Sequence, residues 1–309
     1  MSAIARAPKL GPLMTAMLTP FDAAGGVDER EARRLARFLV DEGTQGLVVC
    51  GTTGEAPALS EEEQLSLISA VKDEVGERVG IVAGTGANNT AHTIEFTQKA
   101  EAYGVDAALV VVPYYNKPTQ DGMLKHFGAV AEKSSLPIVV YNIPGRTGTN
   151  MLPETLLELA RRHHNIAGVK ESTADCAQFS EILRQRPEGF GFWAGDDHMY
   201  LPSLALGGDG LISTSAHLCA RELRALGEAF AAGDTARAAE LHLSLTPLFA
   251  ALFSTTSPIP VKWAMRQLGF ALGECRSPLG EMPQTSIARV APLLEAYRAR
   301  AHAATSLVR

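Results

Sequence analysis

Two apolar runs, Pro137-Ile138-Val139-Val140-Tyr141 and Ile166-Ala167-Gly168-Val169-Lys170, each end on a reactive polar side chain. Neither alternates apolar with polar. A strand with one wet face would alternate, so these runs read as strands covered on both faces, as in a parallel sheet packed between helices. Six more runs share this character: Leu13 to Leu18, Gly46 to Cys50, Val79 to Ala83, Ala107 to Val112, Gly191 to Ala194 and Gly210 to Ile212. Between them lie segments with apolar residues every three or four positions, such as Asp28 to Glu42, Ser60 to Val75 and Thr90 to Tyr103. The second opens with Ser60 and Glu63 in capping-box spacing. Strand then helix, repeated at intervals of roughly 18 to 35 residues, means parallel strands joined by crossover helices. Periodicity does not separate a closed barrel from an open doubly wound sheet. The count of eight strands favours the α/β fold of a (β/α)8 TIM barrel.

After residue 218 only helical patterns remain, over Arg221 to Ala232, Thr235 to Phe253, Val261 to Leu268 and Ser286 to Ala301. The expected organisation is a (β/α)8 barrel over residues 1-218 and a C-terminal helical extension over 219-309. No low-complexity linker separates them, so the extension is expected to pack on the barrel. The 309 residues, 46% hydrophobic and 20% charged, are enough for a full core. A net charge of −6, with no dense run of Lys or Arg, argues against nucleic acid as a partner. Cys50, Cys176, Cys219 and Cys275 are too widely spaced for a structural zinc site, and free thiols imply a reducing compartment. No segment has the length or apolarity of a signal peptide or a membrane span, so the expectation is a cytoplasmic protein without membrane contact.

In a (β/α)8 enzyme, chemistry sits at the C-terminal ends of the strands. Those ends carry Gly51-Thr52-Thr53-Gly54-Glu55, Pro113-Tyr114-Tyr115-Asn116, Tyr141 followed by Arg146, Lys170-Glu171, Gly195-Asp196-Asp197 and Ile212-Ser213-Thr214. A lysine ending an apolar strand places an ammonium where charge is disfavoured, and desolvation frees an amine as a nucleophile toward carbonyls. An arbitrary strand-end lysine more often pairs with a neighbour such as Glu171 or reaches solvent. The hydroxyls converging on the same rim reverse that preference. The Gly51 to Gly54 turn can hold a small anion with backbone N–H groups and hydroxyls. Tyr141, beside Lys170 in strand order, can shuttle protons, and the planar fork of Arg146 suits a carboxylate. Asp196 and Asp197 read as helix N-terminal residues rather than metal ligands, since no further cluster completes a site. Neither a dinucleotide fingerprint nor a phosphate loop occurs, and the expectation is no metal and no cofactor.

These motifs, together with Thr15 to Phe21, Tyr141 to Gly148, Gly168 to Ser172 and Pro258 to Lys262, resemble the dihydrodipicolinate synthase family within the N-acetylneuraminate lyase superfamily. The resemblance covers most of the chain. It implies a lyase in which Lys170 condenses with pyruvate and the enamine attacks aspartate 4-semialdehyde, giving the cyclic dicarboxylate 4-hydroxy-tetrahydrodipicolinate on the path to lysine. It assigns Tyr141, Thr53 and Tyr115 to a proton relay, with Tyr115 donated across a tight dimer interface, and so implies a homodimer or a homotetramer. Thr52 and Thr53 would grip the pyruvate carboxylate, Arg146 that of the second substrate, with Gly195 and Ile212 lining the pocket. An effector pocket for lysine would involve Asn88, Tyr114, Glu61, Gln64 and His92. Glu61 and Gln64 stand where histidines are frequent and His92 where an acid is, which points to weak or absent lysine inhibition. Alternatives are another pyruvate-dependent aldolase or keto-deoxy-sugar acid dehydratase of the superfamily, and a non-catalytic keto-acid-binding barrel.

Overall fold

The computed structural model describes residues 6–306, in which eight parallel strands close into a barrel. The strands are β1 (Leu13–Ala16), β2 (Gly46–Val49), β3 (Gly80–Gly84), β4 (Ala107–Val111), β5 (Ile138–Asn142), β6 (Ile166–Glu171), β7 (Gly191–Ala194) and β8 (Gly210–Ser213). Each pairs with the next, and β8 returns to β1 with Met14 opposite Ile212. The barrel, not the open sheet, is therefore the fold. Around it run α1 (Glu29–Asp41), α2 (Glu61–Val75), α3 (Thr90–Ala102), α4 (Gln120–Lys133), α5 (Pro144–Thr147), α6 (Pro153–Arg162), α7 (Cys176–Gln185), α8 (Tyr200–Ala205) and α9 (Ala216–Ala231). Helices α10 (Thr235–Leu252), α11 (Ile259–Gln267) and α12 (Gln284–Ser306) follow.

The strands do not alternate because both of their faces are dry. Met14, Val48, Val82, Leu109, Val139, Tyr141, Trp193 and Ile212 form one buried cluster inside the barrel. Their outward neighbours, including Leu47, Val49, Ile81, Val110, Val140 and Phe192, belong to a larger cluster with the helices. Asp28, Ser60, Asn89, Thr119 and Asp175 cap five of these helices, each accepting from an amide of the first turn. Such a cap contributes about 1 kcal/mol and anchors the end of the preceding βα loop. At Ser60 the capping box is complete, with the Glu63 carboxylate accepting from the Ser60 amide at 2.9 Å.

Two boundaries differ from expectation for a physical reason. β1 ends at Ala16 rather than Leu18, because the Leu18 amide donates to His217 Nε2 (3.2 Å) instead of to a neighbouring strand. The division expected at residue 218 falls inside α9, which packs on β1 and α1 and is the eighth helix of the barrel. A closed barrel requires such a helix to cover the seam between β8 and β1, so we place the division after Ala231. Residues 1–5 and 307–309 of the expected segments lie outside the described residues. Helices α10 and α11 pack on α9, and α12 packs on both of them. Among the described residues no helix is long and apolar enough to cross a membrane.

Candidate active site

Strands β5 and β6 are in register with Tyr141 opposite Lys170 and Asn142 opposite Glu171. Successive strand residues face opposite sides, so the first pair points into the barrel and the second toward the helices. Lys170 is 6% exposed, and its Nζ lies 4.1 Å from the centre of the Tyr141 ring. The Glu171 carboxylate is turned away from it, accepting from Asn142 Nδ2 (3.0 Å), Gln178 Nε2 (3.2 Å) and the Thr173 amide (2.9 Å). Burial holds that carboxyl above its ordinary pKa in spite of these bonds. Lys170 is thus not the ion-pair partner of Glu171.

Gly195 follows β7 at the point where the lysine chain passes. A β-carbon there would collide with the Ser172 hydroxyl and stand 3.1 Å from Lys170 Cε, so any larger residue would crowd the lysine and its neighbour. The half-buried Asp196 carboxyl comes next. Burial and the neighbouring Asp197 raise its pKa, and the positive charges of Lys170, His198 and Arg146 oppose the rise. The pair does open a short helix, Asp197–Met199, with Asp196 at its N-cap position, but neither side chain caps it. The Asp196 side chain makes no capping bond, and Asp197, fully buried, instead accepts from the Ser213 hydroxyl and the Ser215 amide.

The turn after β2 is bracketed by two non-glycine residues in the left-handed region, Cys50 (φ 56°) and Glu55 (φ 57°). Among the described residues the amides of Thr52 and Thr53 donate to no protein group, whereas those of Glu55 and Ala56 go to Thr52 O and Gly51 O. Two adjacent free amides beside hydroxyls make a small anion site. The two threonines divide here. Thr52 borders the cleft above the barrel, while Thr53 is buried with its hydroxyl 3.3 Å from that of Thr214. Behind Thr214, the His217 ring donates from Nδ1 to Thr214 O (2.8 Å) and accepts the Leu18 amide at Nε2, which fixes its neutral tautomer. Burial accordingly pushes its pKa down to about 4.

The cleft has a volume of about 940 Å³ and is bordered by Thr52, Tyr114, Tyr115, Tyr141 and Arg146. Arg146 stands on the short helix α5, with Nη2 donating to Ser257 O at 3.2 Å. Tyr115 is 88% exposed in a left-handed conformation (φ 73°). Ile212 is buried in the interior cluster beneath the rim. Of the residues expected in an effector pocket, Asn88, Tyr114, Gln64 and His92 border the same cleft. Glu61 does not, and its carboxylate is taken by Lys99 Nζ at 2.5 Å.

Residues 9–297 match the Dihydrodipicolinate synthetase family. The chain belongs to that family. A relative from Symbiobacterium thermophilum, named 4-hydroxy-tetrahydrodipicolinate synthase, is 52% identical over 272 residues, which is 88% of this chain and 92% of the relative. A crystal structure of the family enzyme from Cyanidioschyzon merolae with lysine bound superposes with a TM-score of 0.92 at 39% identity, covering 93% of this chain and 98% of that one. The chloride-inhibited family enzyme from Acinetobacter baumannii, complexed with pyruvate, gives 0.90 at 35% identity over 93% and 99% of the two chains. Around Lys170, the residues that sequence reasoning missed are Asp196 as its electrostatic neighbour and the Thr214–His217 support of Thr53. The strand-end rule that picks out Thr53 reaches Thr214 as well. His217 has no such local mark, because its partner Leu18 is 199 residues away.

Proposed function

We propose that this chain condenses pyruvate with L-aspartate 4-semialdehyde to 4-hydroxy-tetrahydrodipicolinate, a lyase-class reaction, through a Schiff base on Lys170. The observation that carries the reading is a buried Lys170 with no salt-bridge partner among the described residues, set beside Tyr141 below a cleft that holds an anion turn and an arginine. The amine adds to the keto carbon, water leaves, and the iminium takes up the electron pair of a methyl C–H bond as that proton passes to a base, forming an enamine. That carbon attacks the aldehyde of the second substrate, whose own amine then displaces Lys170 and closes the ring.

The exposure of Thr52 to the cleft favours Thr52, rather than Thr53, as the threonine of the proton relay with Tyr141 and Tyr115. Thr53 then serves the carboxylate site with the free amides of the turn. A tyrosine as exposed and as strained as Tyr115 is better explained by a partner subunit than by solvent, which supports a homodimer, alone or paired into a tetramer. Arg146 supplies a charge for a carboxylate on the second substrate, which favours the semialdehyde over a neutral sugar aldehyde. The free thiols of Cys50, Cys176, Cys219 and Cys275 support a cytoplasmic site. With Glu61 held by Lys99 and His92 in place of an acid, lysine is a weak inhibitor or none.

The test is borohydride reduction in the presence of pyruvate, followed by mass spectrometry, alongside a coupled assay with the semialdehyde. A stable adduct on Lys170 and turnover of the semialdehyde are expected. No adduct refutes the Schiff base, and an adduct without turnover points to another aldehyde.

A further inference from the structure

We propose that Lys262, on helix α11, is a positioning residue for the reaction, holding the Gly51–Glu55 turn in the shape that grips the keto acid's carboxylate. The inference rests on the reading above that this turn is the carboxylate site.

Lys262 is 1% exposed and donates from Nζ to Glu55 Oε1 at 2.6 Å, and the Glu55 side chain is fully buried. The other carboxylate oxygen accepts from the Arg276 amide at 2.8 Å. Lys262 Nζ also stands 4.0 Å over the ring of Phe21, on the loop after β1, and the Arg276 guanidinium lies 4.3 Å from the same ring. Arg276 reaches the far end of the β2 loop through Ala58 O and the Glu63 carboxylate, both at 2.8 Å. One buried carboxylate thus joins the turn after β2 to two segments of the C-terminal region, and an aromatic ring joins both to the loop after β1.

Stability does not explain this arrangement. Taking two charges out of water is expensive, and a well-packed apolar pair would join α11 to the barrel at least as firmly. The backbone of the turn does explain it. Cys50 and Glu55 are both left-handed, and such conformations persist only where their surroundings over-determine them. Between them stand Thr52 and Thr53, whose amides must stay free for an anion. At the Cys50 end the fixing contact is the thiol on Gln64 O (3.6 Å), and at the Glu55 end it is the charge pair with Lys262. The same region reaches the second carboxylate-binding group, since Ser257 O accepts from Arg146. The C-terminal helices therefore complete the substrate site from behind rather than merely covering the barrel.

The experiment titrates borohydride trapping of Lys170 with pyruvate in the full-length wild type, in Lys262→Met and in Glu55→Gln/Lys262→Met. For Lys262→Met, half-saturating pyruvate should rise by about tenfold or more, while turnover at saturating pyruvate falls by no more than about threefold, the signature of lost ground-state binding. The double variant replaces the ion pair with a neutral one, so its thermal stability should recover while half-saturation stays raised. Wild-type half-saturation in Lys262→Met, or its return in step with stability in the double variant, would overturn the proposal. Coupling is reciprocal, so saturating pyruvate should slow hydrogen exchange in α11 of the wild type relative to α6 on the barrel wall. Unchanged exchange in α11 overturns the proposal even where neither variant folds. No adduct in the wild type refutes the pyruvate reading itself, whereas a wild-type adduct with unshifted half-saturation in the variants refutes only the role of Lys262.

Discussion

Two lysines are buried among the described residues, each with its ammonium over an aromatic ring, yet their surroundings are opposite. Lys262 lies over Phe21 and is paired at 2.6 Å with the buried carboxylate of Glu55. Lys170 lies over Tyr141 at nearly the same distance and has no carboxylate within salt-bridge distance among the described residues, with its sequence neighbour Glu171 facing the other way. Burial lowers the pKa of Lys262 and the Glu55 carboxylate opposes the change, so its proton is held by a partner. An amine with such a partner is committed to that contact. An amine beside a ring at the foot of a cleft, with no such partner, is available to a carbonyl carbon. Burial alone therefore does not distinguish the two lysines, and the absence of a committed anion sets Lys170 apart.

The sharpest way to break this contrast is the same substitution at both sites. Lys170→Met should abolish the borohydride adduct and lower kcat/KM by about three orders of magnitude or more, since no other amine can form the iminium. Its thermal midpoint should stay level or rise, because no buried carboxylate loses a partner and an apolar chain fills a buried place. Lys262→Met should do the reverse to stability. Removing one partner of a buried pair leaves Glu55 uncompensated, at a cost of about 3 to 5 kcal/mol in denaturant unfolding. Equal losses of stability in the two variants would show that both lysines are held by charge, and the contrast would fail.

A third buried base sharpens the comparison, because His217 is satisfied by backbone atoms rather than by charge. Its folded pKa of about 4 lies below the ordinary 6.5, so the folded protein keeps the ring neutral while the unfolded chain takes up a proton. The stability from this group is therefore complete above about pH 6.5 and is lost as the pH falls toward 4. At about pH 5 the loss amounts to about 2 kcal/mol relative to pH 7.5. Denaturant unfolding of wild type and His217→Gln at both pH values isolates the effect, and the variant should lose less by that increment. An identical drop in the two proteins would place a charge on the folded His217 ring and contradict the tautomer inferred from its two backbone bonds.

The strands and the strand-end position of Lys170 were legible in the sequence for one reason. A strand dry on both faces must be apolar throughout, so a lysine at its end stands out against the run before it. What was not legible depends on partners distant in the chain. The Glu55–Lys262 pair joins residues 207 apart, and no local pattern distinguishes Lys262 from a surface lysine on an amphipathic helix. The end of β1 was misread because Met17 and Leu18 are apolar like the strand, while the bond that stops the ladder comes from His217. Thr52 and Thr53 have the same side chain, and only the path of the turn places one in the cleft and the other beneath it. Asp197 does stand at a helix start, but the partners of its side chain, Ser213 and Ser215, belong to the next strand end and leave no local mark.

The smallest expected effect tests the division between the two threonines. Thr214→Val keeps the shape of the side chain and removes the hydroxyl 3.3 Å from Thr53 Oγ1. A neutral hydrogen bond of this kind contributes about 1 kcal/mol, so the Thr53 hydroxyl should lose about that much orientation toward the carboxylate. If Thr53 belongs to the carboxylate site, half-saturating pyruvate in the trapping reaction rises about fivefold and the pH dependence of kcat is unchanged. If Thr53 instead carries the relay proton, kcat falls with its pH profile displaced and half-saturation stays put. The two outcomes are exclusive because a group that only grips the ground state leaves the chemical step alone, whereas a relay member loses its proton path at every substrate concentration.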